Sequence, residues 1–348
     1  MFIKLNNIII LLYEINSIKL TYMEVYMKKR IITATILTLI LLPAVVVPVL
    51  KPIFELIVFL FTIVASFEIL NMYDKKKKVP MPIKIICVLL TIGLYSSVVN
   101  NFKNVCYDTL ICSFIRYTGI EIDVFLTMGL IFLTLMACLV FVHDFDASDV
   151  GKCLVQIIYV GLCFACFTVL RSYGVRFIIY LLIITVSTDV FALVFGLTIG
   201  KKVFGGRHKM APYISPNKSW EGAIGGTAIA LIIGVTFLVS YPYFTSSFHG
   251  GEVTPFFEGV FEYEQFTQVG LVLFMIVLTL FMSACSQIGD LVASKLKRTY
   301  GIKDYSNIFP GHGGVLDRFD SAIFASAIFL VLIQLEAITY PIIGNLGI

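Results

Sequence analysis

The sequence predicts an all-α, polytopic integral membrane protein with about nine transmembrane helices. Of its 348 residues, 59% are hydrophobic and 14% are charged, and the mean hydropathy is +0.95. A soluble globular domain has about 45–50% apolar and about 25% charged residues. Apolar runs long enough to cross a bilayer recur along the chain, and most Lys and Arg residues lie between alternate runs. These three observations place the chain in a membrane.

Residues 1–26 differ from the rest of the chain. This segment is half-apolar and contains isolated Lys and Glu residues, whereas Met27 is followed by a basic cluster at 28–30 and then by an apolar run. The segment has no small-residue cleavage site after a short apolar core, so it does not have the pattern of a signal peptide. We interpret residues 1–26 as an overextended start or an interfacial helix, and not as a further span.

Nine apolar runs after this segment predict the transmembrane helices, since a bilayer-crossing helix needs about 20 mostly apolar residues. They are Ile31 to Val49, Ile53 to Asn71, Ile83 to Val99, Val124 to Val142, Cys153 to Leu170, Phe177 to Ile199, Ala223 to Tyr241, Gln268 to Gly289, and Ser321 to Tyr340. The first run contains two prolines, which predict a kink or a short span there.

The positions of Lys and Arg predict the orientation, because cytoplasmic loops carry an excess of positive charge. With the N-terminus in the cytoplasm, and Lys4 and Lys19 set aside, 19 basic residues lie in cytoplasmic segments and 5 in external ones. This split favours a cytoplasmic N-terminus in the cell membrane. It also places two polar, glycine-containing stretches, 201–222 and 294–319, on the cytoplasmic side. The formal net charge of +4 is too small to indicate a nucleic-acid partner.

The eight cysteines do not indicate a disulfide framework, since six of them lie inside apolar runs. Cys163 and Cys166 form a C-x-x-C pair, but within an apolar helix such residues are usually small packing groups. We assign them no function.

The first cytoplasmic stretch contains the sequence Ser-Pro-Asn-Lys-Ser-Trp-Glu-Gly at residues 215–222. These residue types predict a tight loop, and Lys218 offers a positive charge to a phosphate. Glycines at the start of the next span would let backbone N–H groups approach an anion. A basic loop beside a membrane is more often only a positive-inside anchor, so this segment alone indicates phosphate binding weakly.

The second stretch contains three carboxylates near one membrane face. Asp290 lies at the end of an apolar run, where an ionised carboxylate is costly unless it is paired or bound to a metal. Asp317 and Asp320 are three residues apart at the start of a helix, so they project from one face. This arrangement suits Mg²⁺ together with substrate phosphates. Helix capping and salt bridges are the structural alternative, and they account for one or two of the three.

Asp189 is the only acidic residue well inside the sixth span. Ionisable residues within a membrane are candidates for function, and we expect Asp189 to line a polar cavity that it shares with the cytoplasmic stretches. The alternative is a structural hydrogen bond between helices.

The residues from Ser294 to Asp320 resemble the signature of the phosphatidate cytidylyltransferases, also called CDP-diacylglycerol synthases. The matching positions are Ser294, Lys297, Arg298, Lys303, Asp304, Ser306, Pro310, His312, Gly313, Gly314, Asp317, Arg318 and Asp320. Residues 215–222 also resemble a family element, with Ser219 in place of the usual Thr. One position departs from the pattern, because Ala293 stands where the family often has Glu. Any role of that Glu is absent here or is taken by another carboxylate such as Glu221.

The resemblance implies an enzyme that joins CTP to phosphatidic acid, giving CDP-diacylglycerol and pyrophosphate. It implies a Mg²⁺ cofactor, and whether a monovalent cation assists stays open. We expect Asp290, Asp317 and Asp320 to bind the metal and, with Lys218, to be catalytic. The expected substrate-binding residues are Asp189, Ser215, Lys218, Glu221, Lys297, Arg298, Lys303, His312, Gly313, Gly314 and Arg318.

The chain then divides into spans that pack or dimerise, at 27–176, and a catalytic region at 177–348, with a homodimer as one outcome. Three alternatives remain on the sequence. A CTP-dependent lipid kinase and a cytidylyltransferase for another lipid phosphate would use the same nucleotide. A cation-coupled transporter could use Asp189 and Asp290, but the sequence lacks the paired repeats expected of such proteins.

Overall fold

The structure is a computed structural model that describes residues 35–36, 38–106, 109–118, 123–202, 208–248, 255–257, 268–311 and 313–346. Nine helices can be delimited in this part of the chain. They are α1 (Lys51–Tyr73), α2 (Met81–Asn101), α3 (Leu110–Thr118), α4 (Val124–Phe141), α5 (Ala147–Tyr173), α6 (Val175–Lys202), α7 (Trp220–Phe248), α8 (Gln268–Thr299) and α9 (Leu316–Leu346).

Seven of these helices, all except α3 and α9, are long and apolar enough to cross a membrane. The predicted class, a polytopic all-α membrane protein, is therefore confirmed. The predicted span Ile31 to Val49 lies partly outside the described residues, and the side chains of α9 beyond residue 335 are not described either. The total of nine spans stays a prediction.

Local sequence signals explain where several helices begin and end. Asp123 caps α4 by accepting hydrogen bonds from the backbone N–H groups of Phe125 and Leu126 at 2.8 and 3.1 Å. Asp146 begins α5 with a capping box that it forms with Asp149. Gly174, at φ +154°, separates α5 from α6.

Side chains that face away from the bundle are apolar, as a lipid environment requires. On α4, Phe132, Leu133, Val140 and Phe141 are more than half exposed. The inward faces pack large aromatic residues instead, among them Phe177 and Tyr180, which both contact Phe256. The eight cysteines are all buried and free, in agreement with the packing role expected of them.

Three basic segments meet at one end of the bundle. The Tyr73 hydroxyl at the end of α1 donates to the Lys152 carbonyl oxygen at 3.0 Å. Lys77 pairs with Asp146 at 2.9 Å, and this pairing lowers the pKa of the Asp146 carboxyl to about 2. The Lys76 ammonium lies 5.2 Å from the ring of Tyr300, just after α8. The loop after α1, the start of α5 and the end of α8 therefore share one face.

Three features were not predicted from the sequence. Residues expected to form a tight loop instead build a two-stranded antiparallel hairpin, β1 (Lys209–Ala211) and β2 (Ser215–Ser219). The loop between the third and fourth predicted spans contains the short helix α3. Finally, α8 continues as a helix ten residues past Gly289 to Thr299, so the predicted cytoplasmic stretch 294–319 is helical at both ends.

Candidate active site

A charged cavity of about 420 Å³ lies where α6, α7, α8 and α9 meet the hairpin. Five carboxylates and three cationic groups line it. They are Asp189, Asp290, Asp304, Asp317 and Asp320, with Lys218, Lys297 and Arg318. Of the seven other residues around the cavity, five are apolar or small, and the remaining two, Asn217 and Gln287, are amides. Ionisable groups in such a setting are costly to bury, so they are candidates for function.

The hairpin carries Lys218 into this cavity. Its strands pair Lys209 with Ser219 and Ala211 with Ser215, with an irregularity between the two pairs. The Lys218 ammonium lies 2.6 Å from Oδ2 of Asp290, and the two side chains are 24% and 28% exposed. This ion pair joins the hairpin to the last third of α8, so the two predicted cytoplasmic stretches meet in space.

Glycines at the start of α7 allow it to pack closely against α6, while the anion contact expected of them stays a prediction. A Cβ on Gly222 would lie 2.5 Å from the Ala192 carbonyl oxygen, and a Cβ on Gly226 would lie 2.5 Å from the Thr188 carbonyl oxygen. Glycine is needed here because α7 contacts the backbone of α6. This close approach brings Lys218, two residues before α7, next to Asp189 on α6.

Asp317 holds the loop between α8 and α9 in place. Its Oδ1 pairs with the Lys297 ammonium at 2.7 Å, and its Oδ2 accepts from the backbone N–H groups of Tyr305 at 2.7 Å and Gly314 at 2.9 Å. The Asp317 side chain is 2% exposed. The structural alternative, capping together with a salt bridge, is therefore present at Asp317.

Tyr305 anchors the same loop from its other side. Burial raises the pKa of its hydroxyl far above the ordinary value, so the group stays protonated and donates to the Ala293 carbonyl oxygen at 3.2 Å. Ala293 is fully buried. The position where the family often has Glu is thus a packing site in this chain.

Asp189, Asp290 and Asp320 lie close enough to repel one another electrostatically. Asp189 also accepts a hydrogen bond of 3.4 Å from the Ser321 hydroxyl of α9. Asp320 is 8% exposed and accepts from the Ser321 N–H at 2.8 Å. Asp189 therefore lies in the polar cavity, next to the carboxylates that the sequence had singled out.

The carboxylates have the right chemistry for a magnesium ion, because Mg²⁺ prefers oxygen ligands and is usually held by one or two carboxylates plus substrate phosphates. Within the described residues, no three acidic, His or Cys side chains are already arranged to hold a metal ion. Lys218 and Lys297 instead pair with Asp290 and Asp317. The magnesium site stays a prediction.

Several predicted substrate-binding residues do not line the cavity. Glu221 pairs with His208 at 2.5 Å, and the Arg298 guanidinium donates to the carbonyl oxygens of Ile214 and Ile302. The others outside the lining are Ser215, Lys303, Gly313 and Gly314. His312 lies outside the described residues.

Two residues were missed in the sequence. Asp304 belongs to the signature but was given no role, and it lines the cavity. Glu68 of α1 is 3% exposed and contacts the loop between α8 and α9, residues 300–315, which we call the signature loop. A carboxylate inside an apolar span is itself a signal, and it would have pointed to Glu68.

The fold and the cavity define a polytopic membrane protein with a charged cavity at one end of its helical bundle. The cytidylyltransferase family model matches residues 28–336, and the chain belongs to this family. A phosphatidate cytidylyltransferase of Bacillus subtilis (strain 168) is 34% identical over 316 residues, which cover 89% of this chain and 98% of that protein. The phosphatidate cytidylyltransferase of Staphylococcus haemolyticus (strain JCSC1435) is 31% identical, and that of Staphylococcus aureus (strain COL) is 32% identical. These two alignments each cover 88% of this chain and 99% of the relative.

Proposed function

We propose that this protein transfers the cytidylyl group of CTP to phosphatidic acid, giving CDP-diacylglycerol and pyrophosphate. The observation that carries the proposal is the cavity, which gathers Lys218, Lys297, Asp317, Arg318 and Asp320 of the two family motifs. Family membership over residues 28–336 supports the same reaction.

The reaction requires two polyanions to meet. A phosphate oxygen of phosphatidic acid attacks the α-phosphorus of CTP, the new P–O bond forms, and the bond from the α-phosphorus to the bridging oxygen breaks as pyrophosphate leaves. A phosphate monoester is largely dianionic near pH 7, so no strong general base is needed. Lys218, Lys297 and Arg318 supply the positive charge that holds the phosphates and the leaving group.

Asp290, Asp317 and Asp320 would hold the magnesium ion, with Asp189 beside them. A carboxylate has about four acceptor sites, and the three hydrogen-bond donors at Asp317 leave one of them for a further ligand. When bound, the ion would supply charge neutralisation and a template for the phosphates.

We place this cavity on the cytoplasmic side of the cell membrane, where nucleotide triphosphates are available. The support is the positive-inside bias of the sequence. The loop after α1, the start of α5 and the end of α8, which carry many of the basic residues, share one end of the bundle.

The reaction is tested by incubating the purified protein with cytidine-labelled CTP, Mg²⁺ and phosphatidic acid. We expect a labelled, lipid-soluble product and an equal amount of pyrophosphate, and we expect a chelator to stop both and added Mg²⁺ to restore them. Release of labelled CDP with a phosphorylated lipid would show a kinase instead. A chelator without effect would overturn the magnesium proposal alone.

An apolar groove of about 470 Å³ between α5 and α9 suits the acyl chains of the lipid substrate. It is lined by Leu154, Val155, Ile158, Tyr159, Leu162, Cys163, Phe324, Ala327, Ile328 and Val331. Phe324 lies one helical turn beyond Asp320 on the same face of α9, so the groove begins beside the charged cavity. The Tyr159 hydroxyl is buried without a hydrogen-bond partner among the described residues, and it is close enough to Asp290 and Asp320 to interact with their charges.

Filling this groove is expected to weaken lipid binding selectively. Ala327→Phe should raise the KM for long-chain phosphatidic acid about tenfold, because steric loss in an apolar site costs about 1–3 kcal/mol, and should leave the KM for CTP unchanged. Val235→Phe is the matched control, since Val235 is a half-buried residue in another apolar groove, between α7 and α8. Equal effects of the two variants on the lipid KM would contradict the assignment.

A further inference from the structure

Glu68, in the first half of the chain, binds the signature loop directly. Its Oε1 accepts from the Ser306 hydroxyl at 2.6 Å and from the Val315 N–H at 2.9 Å, and its Oε2 accepts from the Leu316 N–H at 2.9 Å. The donors are 238 to 248 residues away in sequence. A side chain of α1 therefore satisfies the backbone at the start of α9.

Gly314 has no side chain and so leaves space for the Glu68 carboxylate. A Cβ at that position would lie 2.6 Å from Cδ of Glu68 and closer still to Oε1. Gly314 does not have a positive φ, unlike Gly301, Gly311 and Gly313 in the same loop. Glycine is required at 314 because Glu68 occupies the space, and not because of the backbone conformation.

Two carboxylates thus accept hydrogen bonds from the backbone at the start of α9. Asp317 accepts from the N–H of Gly314, and Glu68 accepts from the N–H groups of Val315 and Leu316. The Val315 and Leu316 N–H groups are among those that a helix leaves unsatisfied at its N-terminus, and a negative charge there is stabilised by the helix dipole. Asp320 follows one turn later, on the cavity wall.

We propose that Glu68 is a positioning residue for catalysis, which fixes the start of α9 and so places Asp317 and Asp320 in the cavity. The proposal rests on the proposed function. It assigns to α1, within the half of the chain predicted to pack or dimerise, a part in building the active site. Gly314 is its counterpart, because only glycine admits the carboxylate.

Glu55 provides a matched control on the same helix. It is 2% exposed and also accepts from the N-terminus of a helix, at Leu110 N (2.5 Å) and Ile111 N (3.1 Å) of α3. It lies 13 residues before Glu68 in sequence, about 20 Å along the helix axis. Both residues are buried capping carboxylates, but only Glu68 contacts the signature loop.

The test compares Glu68→Gln with Glu55→Gln in the full-length protein. Glu68→Gln should lower kcat about a hundredfold at saturating CTP and phosphatidic acid, since a displacement of about 1 Å at a reacting group can cost that much. Glu55→Gln should lower Tm about as much as Glu68→Gln does, because both variants weaken a helix cap. Since Glu55 caps a helix away from the reacting groups, kcat per folded molecule should stay within about twofold of the wild type. Equal kcat values for the two variants would show that Glu68 is only structural.

A second readout separates this inference from the reaction itself. Hydrogen exchange should be faster at the amides of residues 314–320 in Glu68→Gln than in the wild type. If Glu68→Gln does not fold, Glu68→Asp takes its place, and it should retain part of the wild-type protection. A wild-type protein without cytidylyl transfer would overturn the proposed function. Unchanged exchange at 314–320 would overturn the role of Glu68, whatever the reaction.

The Gly314 contact gives an independent check. Gly314→Ala should be strongly impaired in the wild-type background but should add little to the loss in Glu68→Ala, because the smaller side chain leaves room for the methyl group. Additive losses in kcat would contradict the steric argument.

Discussion

Asp290→Asn is expected to lower kcat by about a thousandfold and to raise the Mg²⁺ concentration needed for half-maximal rate. Asp290 lines the cavity, pairs with Lys218 at 2.6 Å and is close to Asp189 and Asp320. A ligated metal is worth several kcal/mol of charge stabilisation in the transition state, and about 1.4 kcal/mol corresponds to a tenfold change in rate. The measurement is transfer of label from CTP into lipid over a Mg²⁺ titration.

Two further variants serve as a comparison and as a control for Asp290→Asn. Lys218→Ala removes the other half of the ion pair, and it should chiefly raise the KM for CTP or phosphatidic acid, because a cation that clamps phosphate contributes to binding. Asp74→Asn is the control, since Asp74 pairs with Lys84 at 2.5 Å and does not line the cavity. An Asp290→Asn enzyme within tenfold of the wild-type kcat, and with unchanged Mg²⁺ dependence, would refute the assignment.

Asp317→Asn is expected to abolish most activity and also to destabilise the protein. The Asp317 and Lys297 side chains are 2% and 10% exposed, so the change leaves a buried ammonium without its counterion. Removing one partner of a buried ion pair costs about 3–5 kcal/mol. We expect a lower Tm in detergent and a loss of cytidylyl transfer per folded molecule.

A double variant isolates the structural role of Asp317. Adding Lys297→Met to Asp317→Asn removes the unpaired charge, so Tm should recover in part, while activity stays low because Lys297 is itself a proposed phosphate-binding residue. If Asp317 served only as a ligand, the single variant would shift the Mg²⁺ dependence and leave Tm unchanged. A variant with normal Tm, rate and Mg²⁺ dependence would contradict both roles.

The site was predicted in part from the sequence. The sequence proposed Lys218, Asp290, Asp317 and Asp320 as site residues, and all four line the cavity. Their catalytic and metal-binding roles stay predictions. The sequence also proposed Asp189 for the same cavity, from the cost of a carboxylate inside a span. It gave helix capping and a salt bridge to Lys297 only as the structural alternative for these carboxylates, and this alternative is present at Asp317. It did not reveal that Glu221 pairs with His208 or that Arg298 donates to backbone carbonyl groups.

The sequence by itself determined that the chain is an α-helical membrane protein of this family, and where most of its spans lie. Hydropathy and charge bias can be evaluated over short windows, because the bilayer acts on each segment separately. Only the tertiary structure decided which polar groups meet. The hairpin that carries Lys218 and the contact of Glu68 with the start of α9 depend on packing between segments far apart in the chain. A buried polar group must find its partner wherever the fold places one, and no local pattern encodes that place.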